Sequence, residues 1–277
     1  MTTETPAVIP DLLEDLVRLG LRTDDFVVMH SSFKAVGRRD IAPADFIRTL
    51  LEVIGPGGTL MMPTFTYSYA GLWGMKPFDA ATSPGLLNGI LSETLRGYPG
   101  ALRSAHPTYS VAAIGRYAEE VTRNRETASA LGFGSSFEAA NQRGAQILLL
   151  GIGNDRNSML HYAETVAAVP YLDVPWRAHA GKTALVLKEG AAVEMPLPEE
   201  YPGCSLGFGV ADSYLEEQGI LKRGKIAAAD AILQSSQAMV QAVAARLRRE
   251  PGWLLCHTFG CEPCTLRRRR LRALGRL

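Results

Sequence analysis

The sequence of residues 146–164 is QILLLGIGNDRNSMLHYAE. Its first five residues form an apolar run with the length and bulk of a buried β-strand. The two glycines at 151 and 153 then allow a turn, and the asparagine and aspartate side chains that follow can cap a helix beginning near Ser158. This strand–turn–helix sequence predicts an α/β protein whose chemistry lies directly after a central strand.

The predicted helix carries a histidine and a carboxylate on one face. His161 and Glu164 are three residues apart, and side chains at this spacing are neighbours on a helix. In that position the carboxylate orients the imidazole and stabilises its positive charge. On spacing alone such a histidine is more often structural than catalytic, so the pair is a candidate site that needs further support.

The composition is that of a globular protein. The chain has 277 residues, of which 47% are hydrophobic and 21% are charged, enough for a large core. We find no apolar run near the length of about 18 residues that a membrane span needs, and no basic and apolar leader after Met1. We therefore expect neither membrane insertion nor secretion, and a cytoplasmic location.

The charge is distributed unevenly along the chain. The formal net charge is +1, but residues 267–277 contain six arginines and no acid, which leaves the rest of the chain at −5. A mildly acidic body suits a polycationic partner, although many enzymes of other specificity are acidic as well. The arginines predict a solvated C-terminal helix, and nucleic-acid binding is the less favoured interpretation.

Three of the four cysteines lie close together near the C-terminus. Cys256, His257, Cys261 and Cys264 have the spacing Cys-His-x3-Cys-x2-Cys, which can surround a tetrahedral zinc ion. Four cysteines in a chain of this length do not make a disulfide framework. Because a second Cys-x-x-Cys is missing, reduced thiols are the favoured interpretation and no metal is predicted; the four residues are zinc candidates only.

Hydrophobic periodicity gives the remaining elements. It predicts helices over residues 8–19, 43–54, 83–95, 137–142, 211–218 and 227–249. It predicts strands over residues 26–29, 59–62, 109–114 and 253–256, and a β-hairpin over 182–195. The connection 64–82 is long and rich in aromatic residues, among them Tyr67, which makes Tyr67 a substrate-site candidate.

Two patterns imitate other enzymes. The two glycines after strand 146–150 resemble the start of a dinucleotide fingerprint, but Arg156 stands where the third glycine belongs. Residues 203–207, GCSLG, spell the G-x-S-x-G pattern of serine hydrolases without the apolar strand that must precede it. We therefore predict neither an NAD-dependent enzyme nor a serine hydrolase.

Four segments, in this order, resemble the motifs of the aminoglycoside 3-N-acetyltransferases. They are residues 29–37, beginning MHSS and ending in glycine; 57–66, GGTLMMPTFT; 103–115, beginning RSAHPTYS and ending in glycine; and 146–164, with its Ser-x-x-His-x-x-Glu helix. The resemblance covers roughly residues 7–255. It departs from the family pattern at Ser136, where a Ser-Pro pair is usual, and in the tail.

The resemblance implies a fold and a domain organisation. The expected fold is α/β, with a central mixed sheet flanked by helices and a hairpin-bearing insertion, as in the aminoglycoside 3-N-acetyltransferases. Residues 1–255 are expected to form a single acetyltransferase domain, followed by a Cys/Arg-rich C-terminal tail over residues 256–277.

The resemblance also implies an activity. It is the transfer of acetyl from acetyl-coenzyme A to the 3-amino group of a 2-deoxystreptamine aminoglycoside, which removes a charge that the drug needs for binding RNA and confers resistance. His161 becomes the catalytic base and Glu164 its orienting partner. By position, the coenzyme-site candidates are Ser31, Ser32, Arg103, Ser104 and Ser110, and the acids that face the cationic substrate are Asp79 and Glu200.

Other interpretations stay open. His106 in the third segment is expected to be structural, bonded to the backbone. The expected partner is a small-molecule aminoglycoside, without nucleic acid or membrane, and the protein is expected to be a monomer or a homodimer. One alternative is an acetyltransferase for another, biosynthetic, amine; the other is a non-catalytic ligand-binding relative whose tail binds metal and a partner.

Overall fold

The computed structural model describes residues 6–66, 77–85, 87–123, 125–126, 128–175, 183–197 and 202–277. Within these residues the helices are α1 Pro10–Leu19, α2 Pro43–Ile54, α3 Ile90–Arg96, α4 Ala118–Thr122, α5 Ser136–Gln142, α6 Met159–Val166, α7 Ala211–Glu217, α8 Ser236–Arg249 and α9 Glu262–Ala273. The strands are β1 Phe26–Ser31, β2 Thr59–Pro63, β3 Leu102–Arg103, β4 Val111–Gly115, β5 Gln146–Leu150, β6 Thr183–Lys188, β7 Ala191–Pro196, β8 Leu221–Ile226 and β9 Ala229–Ser235. None of the described helices has both the length and the apolar character needed to cross a bilayer.

Seven strands form one mixed sheet in the order β3-β4-β2-β1-β5-β9-β8. Strand β1 pairs in parallel with both β2 and β5, whereas the other pairings in the sheet are antiparallel. The carboxyl ends of the three parallel strands therefore meet at one edge of the sheet. The predicted central mixed sheet is confirmed, and the segments that follow β1, β2 and β5 are brought together at that edge.

The side chains of strand β5 are buried on both faces of the sheet. Its side chains alternate, so that Ile147 and Leu149 pack in the core on one face while Leu148 and Leu150 pack on the other. Helices α1, α2 and α3 cover the second face, and α4 to α9 contribute to the first. A strand buried on both sides has to be apolar throughout, which is the pattern that the sequence of β5 shows.

The hairpin β6–β7 is a separate two-stranded sheet, as predicted. Phe78 joins it as a bridge: its N–H donates to the carbonyl of Leu185 at 2.8 Å, and its own carbonyl accepts from Leu187 N–H at 2.7 Å. The Phe78 side chain packs with Ala184, Val186 and other apolar residues of the hairpin in a small cluster. The hairpin is thereby attached to the segment 77–85.

Two predicted helices are wrong in extent. The helix predicted over 83–95 is confined to Ile90–Arg96, because the Ser83 hydroxyl bonds the N–H of Asp79 and closes a local turn instead of capping a helix. The helix predicted over 227–249 is strand β9 followed by α8.

The β9 segment shows how tertiary packing overrides local propensity. Ala229 to Ser235 is rich in alanine and aliphatic residues, which suit a helix in isolation. As the neighbour of β5 it buries Ala231, Ile232 and Leu233 alternately on the two faces of the sheet. Residues 253–256, predicted as a strand, form turns and irregular backbone.

The C-terminal segment packs on the body of the protein. The helix predicted from its arginines is present as α9, but its Arg267 is 1% exposed and therefore not solvated, in contrast to the expectation for this segment. Cys264 and Leu271 are also buried and belong to the core that lies between the sheet and helices α4 to α9. One face of α9 is therefore part of the interior, while Arg269, Arg270 and Arg272 remain exposed.

Candidate active site

A cavity of about 350 Å³ lies at the carboxyl edge of the parallel strands. Its walls are formed by residues from four parts of the chain: His30 and Ser31 from β1; Pro63, the last residue of β2, and Phe65 after it; Ile152, Arg156, Ser158 and His161 after β5; and Pro202, Gly203 and Ser205 from the segment after the hairpin. Ligands of open α/β sheets bind at this edge, because loops from adjacent parallel strands converge there. Gly151 allows the turn after β5 to lie against the segment after β1. Its φ is +66°, and a Cβ at this position would overlap the side chain of Ala35 in that segment.

The histidine and carboxylate predicted from the sequence are hydrogen-bonded to each other. Helix α6 begins where the side-chain oxygen of Asn157 accepts the N–H of Met159 at 3.1 Å, and His161 and Glu164 follow on its inner face. The distance between His161 Nδ1 and Glu164 Oε2 is 2.7 Å. His161 is 7% exposed and borders the cavity, whereas Glu164 is 1% exposed and lies beneath it.

The second oxygen of Glu164 has two further partners. The Tyr171 hydroxyl donates to Oε1 at 2.9 Å, and Nη1 of Arg267 lies 3.6 Å from the same oxygen. The Arg267 guanidinium also stacks over the Tyr171 ring, with Cζ 4.9 Å from the ring centroid, a favourable cation–π distance. Glu164 is thus held by groups from α6, from the turn after α6 and from the C-terminal helix.

These contacts decide the charge of Glu164. Burial works to raise the pKa of this carboxyl, but the hydrogen bond from His161, the charge of Arg267 and the hydrogen bond from Tyr171 outweigh it, and the pKa is lowered. Burial and the charge of Glu164 raise the pKa of Tyr171 well above its ordinary value, so that its hydroxyl keeps its proton and remains a donor. Glu164 is therefore a buried, ionised carboxylate.

The ionised carboxylate determines which nitrogen of His161 is basic. A carboxylate only accepts, so Nδ1 of His161 carries the proton that it shares with Glu164. In the neutral ring, Nε2 is then unprotonated and is the nitrogen available to a molecule in the cavity. Phe208 packs edge-on against the imidazole, with 4.7 Å between ring centroids, and limits its rotation. This arrangement suits a general base.

Two polar atoms of β1 have no hydrogen-bond partner among the described residues, and both belong to side chains of residues that line the cavity. They are Nε2 of His30 and Oγ of Ser31, both buried. Burial lowers the pKa of His30 to about 4, so the ring is neutral at physiological pH. Buried polar groups are normally hydrogen-bonded, so two such atoms without a partner beside a cavity fit the binding of a polar ligand there.

Ser31 is the one coenzyme-site candidate among the described residues that line the cavity. Ser32 lies next to it, and its N–H donates to the carbonyl of Leu150 at 2.8 Å. Ser104 and Ser110 are completely buried. The hydroxyl of Ser104 accepts the N–H of Val111 at 2.9 Å, and that of Ser110 lies 2.7 Å from the carbonyl of Thr64.

Arg103 and Asp79 stabilise the segment 77–85. The Arg103 guanidinium donates to the carbonyls of Thr64, at 3.0 Å, and Ser83, and it stacks over Phe78. Burial lowers the pKa of Arg103 to about 10. Asp79 accepts from Thr82 Oγ1 at 2.8 Å, a bond that lowers the pKa of its carboxyl. The remaining substrate-site candidates, Tyr67 and Glu200, lie outside the described residues.

His106 has the structural role expected of it. Its Nδ1 accepts the N–H of Tyr109 at 2.9 Å, and the side chain is buried. The sequence reasoning missed Tyr171, Arg267 and the cavity-lining residues near Gly203. Tyr171 lies beyond the end of α6 at Val166, so the spacing of residues on a helix gives no signal for its contact with Glu164. No local pattern indicates that Arg267 reaches α6.

The fold and the site together define an α/β protein with a buried, hydrogen-bonded histidine–carboxylate pair at the wall of a cavity at the ends of parallel strands. The family model described as "Aminoglycoside 3-N-acetyltransferase" matches residues 28–248, and the chain belongs to this family. The family and fold inferred from the four motifs are confirmed.

Similarity to individual members of this family, in sequence and in structure, supports the assignment. The chain is 34% identical to aminoglycoside N(3)-acetyltransferase IV of Salmonella sp over 242 aligned residues. This alignment covers 87% of this chain and 87% of the relative. It matches the crystal structure of aminoglycoside acetyltransferase AAC(3)-IVa as apoenzyme with a TM-score of 0.81 and 32% identity, over 98% of this chain and 100% of that chain. A binary complex of AAC-IIIb with CoASH matches with a TM-score of 0.77 and 26% identity, over 87% and 96% of the two chains.

Proposed function

We propose that the protein transfers the acetyl group of acetyl-coenzyme A to the 3-amino group of a 2-deoxystreptamine aminoglycoside, and thereby confers resistance. The observation that carries the proposal is the buried hydrogen bond between Nδ1 of His161 and Glu164, at a histidine that lines the cavity. The relatives support it: they are acyltransferases by name, and structures among them hold CoASH or, in a mutant of AAC(3)-IVa, a gentamicin or apramycin.

The amine has to lose a proton before it attacks. Aliphatic amines are mostly ammonium ions at neutral pH, and Nε2 of His161 accepts the proton that leaves the nitrogen. Glu164, bonded to Nδ1, stabilises the resulting imidazolium, while Arg267 and Tyr171 keep the carboxylate ionised. Positioned general-base catalysis of this kind contributes typically ~10² to 10⁴ in rate.

Acetyl-coenzyme A supplies an acyl group activated as a thioester. The amine nitrogen forms a bond to the acyl carbon, the carbon–sulfur bond breaks, and the imidazolium of His161 returns its proton to the leaving sulfur. The nitrogen, which began as an ammonium ion, releases its second proton to water and keeps one as the amide N–H. The hydroxyl of Ser31, which has no hydrogen-bond partner among the described residues, donates to the oxygen on which negative charge develops. The products are an amide and free coenzyme A, and His161 is neutral again.

The coenzyme is held by the cavity wall. Ser31 and His30 provide unpaired polar atoms, and Arg156 provides a positive charge for phosphate. Ser32, Arg103, Ser104 and Ser110 act indirectly, by bonding the segments that form the cavity edge. A cytoplasmic location follows from the co-substrate, because acetyl-coenzyme A is made and used inside the cell.

The experiment is thiol release from acetyl-coenzyme A by the purified protein, with and without a panel of 2-deoxystreptamine aminoglycosides. We expect release that depends on the drug, and mass and NMR spectra of the product that place the acetyl group on the 3-amino nitrogen. His161→Ala should lower turnover by at least ~10² while coenzyme binding persists. His257→Ala, at an exposed histidine outside the site, is the matched control and should keep wild-type turnover.

Three other results of this assay would contradict parts of the proposed function. Release that requires a small amine other than an aminoglycoside would make that amine the acceptor and would refute the drug specificity. Coenzyme binding without release, with every amine tested, would identify a non-catalytic relative. Wild-type turnover in His161→Ala would refute the base assignment.

A further inference from the structure

The four cysteines of the chain converge on one point. The Sγ atoms of Cys204, Cys256, Cys261 and Cys264 all lie within 4.8 Å of one another. Cys204 and Cys256 are 52 residues apart in sequence, yet their sulfurs are 3.6 Å apart. His257, which the spacing offered as a ligand, is exposed and does not belong to the group; Cys204 takes its place.

We propose that Cys204, Cys256, Cys261 and Cys264 bind a structural zinc ion through four thiolates. A tetrahedral zinc site with Zn–S bonds of about 2.3 Å places its sulfurs about 3.8 Å apart. The observed separations bracket that value. Four protein ligands close the coordination sphere, so this ion holds chain segments together and leaves no position for substrate. Soft thiolates select zinc over the hard cations magnesium and calcium.

The surroundings offset the negative charge of a four-thiolate site. Cys261 is the N-cap of α9 and Cys264 lies in its first turn, where the positive end of the helix dipole stabilises anions. The N–H of Leu206 points at the sulfur of Cys204, 3.3 Å away. Arg268 lies close by, since its guanidinium donates to the carbonyl of Cys256 at 2.5 Å.

The site connects the C-terminal helix to the cavity wall. Cys264 is three residues before Arg267 on α9, one helical turn from the guanidinium that pairs with Glu164. Cys204 follows Gly203, which lines the cavity and packs directly on Arg267: a Cβ at Gly203 would lie 2.5 Å from Arg267 Nη1. Zinc therefore fixes both segments that surround Arg267.

The test is the metal content of the protein purified without chelator from zinc-supplemented medium. Plasma mass spectrometry should find one zinc per chain in the wild type and in His257→Ala, the matched control next to a ligand. Cys264→Ser and Cys204→Ser should lose the metal. Cobalt exchanged into the wild type should give the visible absorption of tetrahedral cobalt–thiolate sites.

The wild-type protein also decides the matter if the cysteine variants do not fold. We expect its four thiols to react with a thiol reagent slowly under native conditions, and at least tenfold faster after a zinc chelator is added. Absence of zinc and cobalt binding, thiol reactivity that the chelator leaves unchanged, or disulfides in the intact mass of the non-reduced protein would each overturn the proposal. These measurements need no substrate, so their result is independent of the proposed acetyl transfer.

Discussion

Arg267 on the last helix places Nη1 3.6 Å from Oε1 of Glu164, and both side chains are 1% exposed. The Glu164 carboxylate on α6, for which we propose a catalytic role, is therefore paired with a residue of the C-terminal helix α9. A buried carboxylate is costly to keep ionised unless opposite charge and hydrogen bonds surround it. Arg267 supplies the opposite charge, and Tyr171 and His161 supply the hydrogen bonds.

Replacing Arg267 by methionine should destabilise the protein strongly. Arg267→Met removes one partner of a buried ion pair, which typically costs about 3–5 kcal/mol because the other charge is left uncompensated. The free energy of unfolding in urea at pH 7 measures the effect. Arg269→Met, at an exposed arginine of the same helix, is the control and should stay within about 0.5 kcal/mol of the wild type. Equal losses in both variants would contradict the importance of the Arg267–Glu164 pair.

Tyr171→Phe should separate the hydrogen bond from the ring. The variant keeps the surface on which Arg267 stacks but removes the hydroxyl that donates to Glu164, and a hydrogen bond to a charged group is worth about 1.5–3 kcal/mol. Urea unfolding at pH 7 should show a loss of that size. Tyr162→Phe serves for comparison, because the Tyr162 hydroxyl is 3.4 Å from Glu138 and this long contact contributes little. A loss for Tyr171→Phe no larger than for Tyr162→Phe would argue against the bond.

Gly203→Ala should disturb the cavity wall and the carboxylate together. The added methyl group meets the Arg267 guanidinium, so the arginine or the wall has to move, and such overpacking typically costs about 1–3 kcal/mol. We expect lower stability and lower turnover in the thiol-release assay. Gly209→Ala adds the same group where nothing lies within 4 Å and should leave both unchanged. Wild-type turnover in Gly203→Ala would show that the position of Arg267 is not critical.

Stability should fall as the pH is lowered from about 6.5 to 4. Burial lowers the pKa of both His30 and His106 to about 4 from an ordinary value of 6.5. In this interval the unfolded state binds more protons than the folded state, so each histidine contributes stability above pH 6.5 that is lost as the pH falls through 4. The loss is about 3 kcal/mol per histidine when complete.

Urea unfolding of His30→Phe across this pH interval checks the contribution of His30. Phenylalanine keeps a ring next to Phe137 but does not titrate, so the decline should be smaller than that of the wild type by about 3 kcal/mol when complete. His257→Phe, at an exposed position, should keep the wild-type decline. A decline in His30→Phe parallel to that of the wild type would refute the assignment.

Much of the fold was predictable because its signals are local. The apolar run of β5, the periodicity of α1 and α2, and the hairpin β6–β7 agree with the sequence pattern. The prediction failed where packing outweighed propensity. The segment of β9 became a strand because β5 offered a free edge, and the first residues of the predicted helix 83–95 became a turn bonded to Asp79.

The sequence by itself determined the strand, the glycine turn and the His161–Glu164 pair, because neighbours three residues apart on a helix meet whatever else the chain does. Only the tertiary structure decided that Arg267 and Tyr171 keep Glu164 charged, and that Cys204 joins the three C-terminal cysteines. These contacts join residues that have no fixed spacing. They form only when the sheet and its helices bring distant segments together, so no local pattern records them.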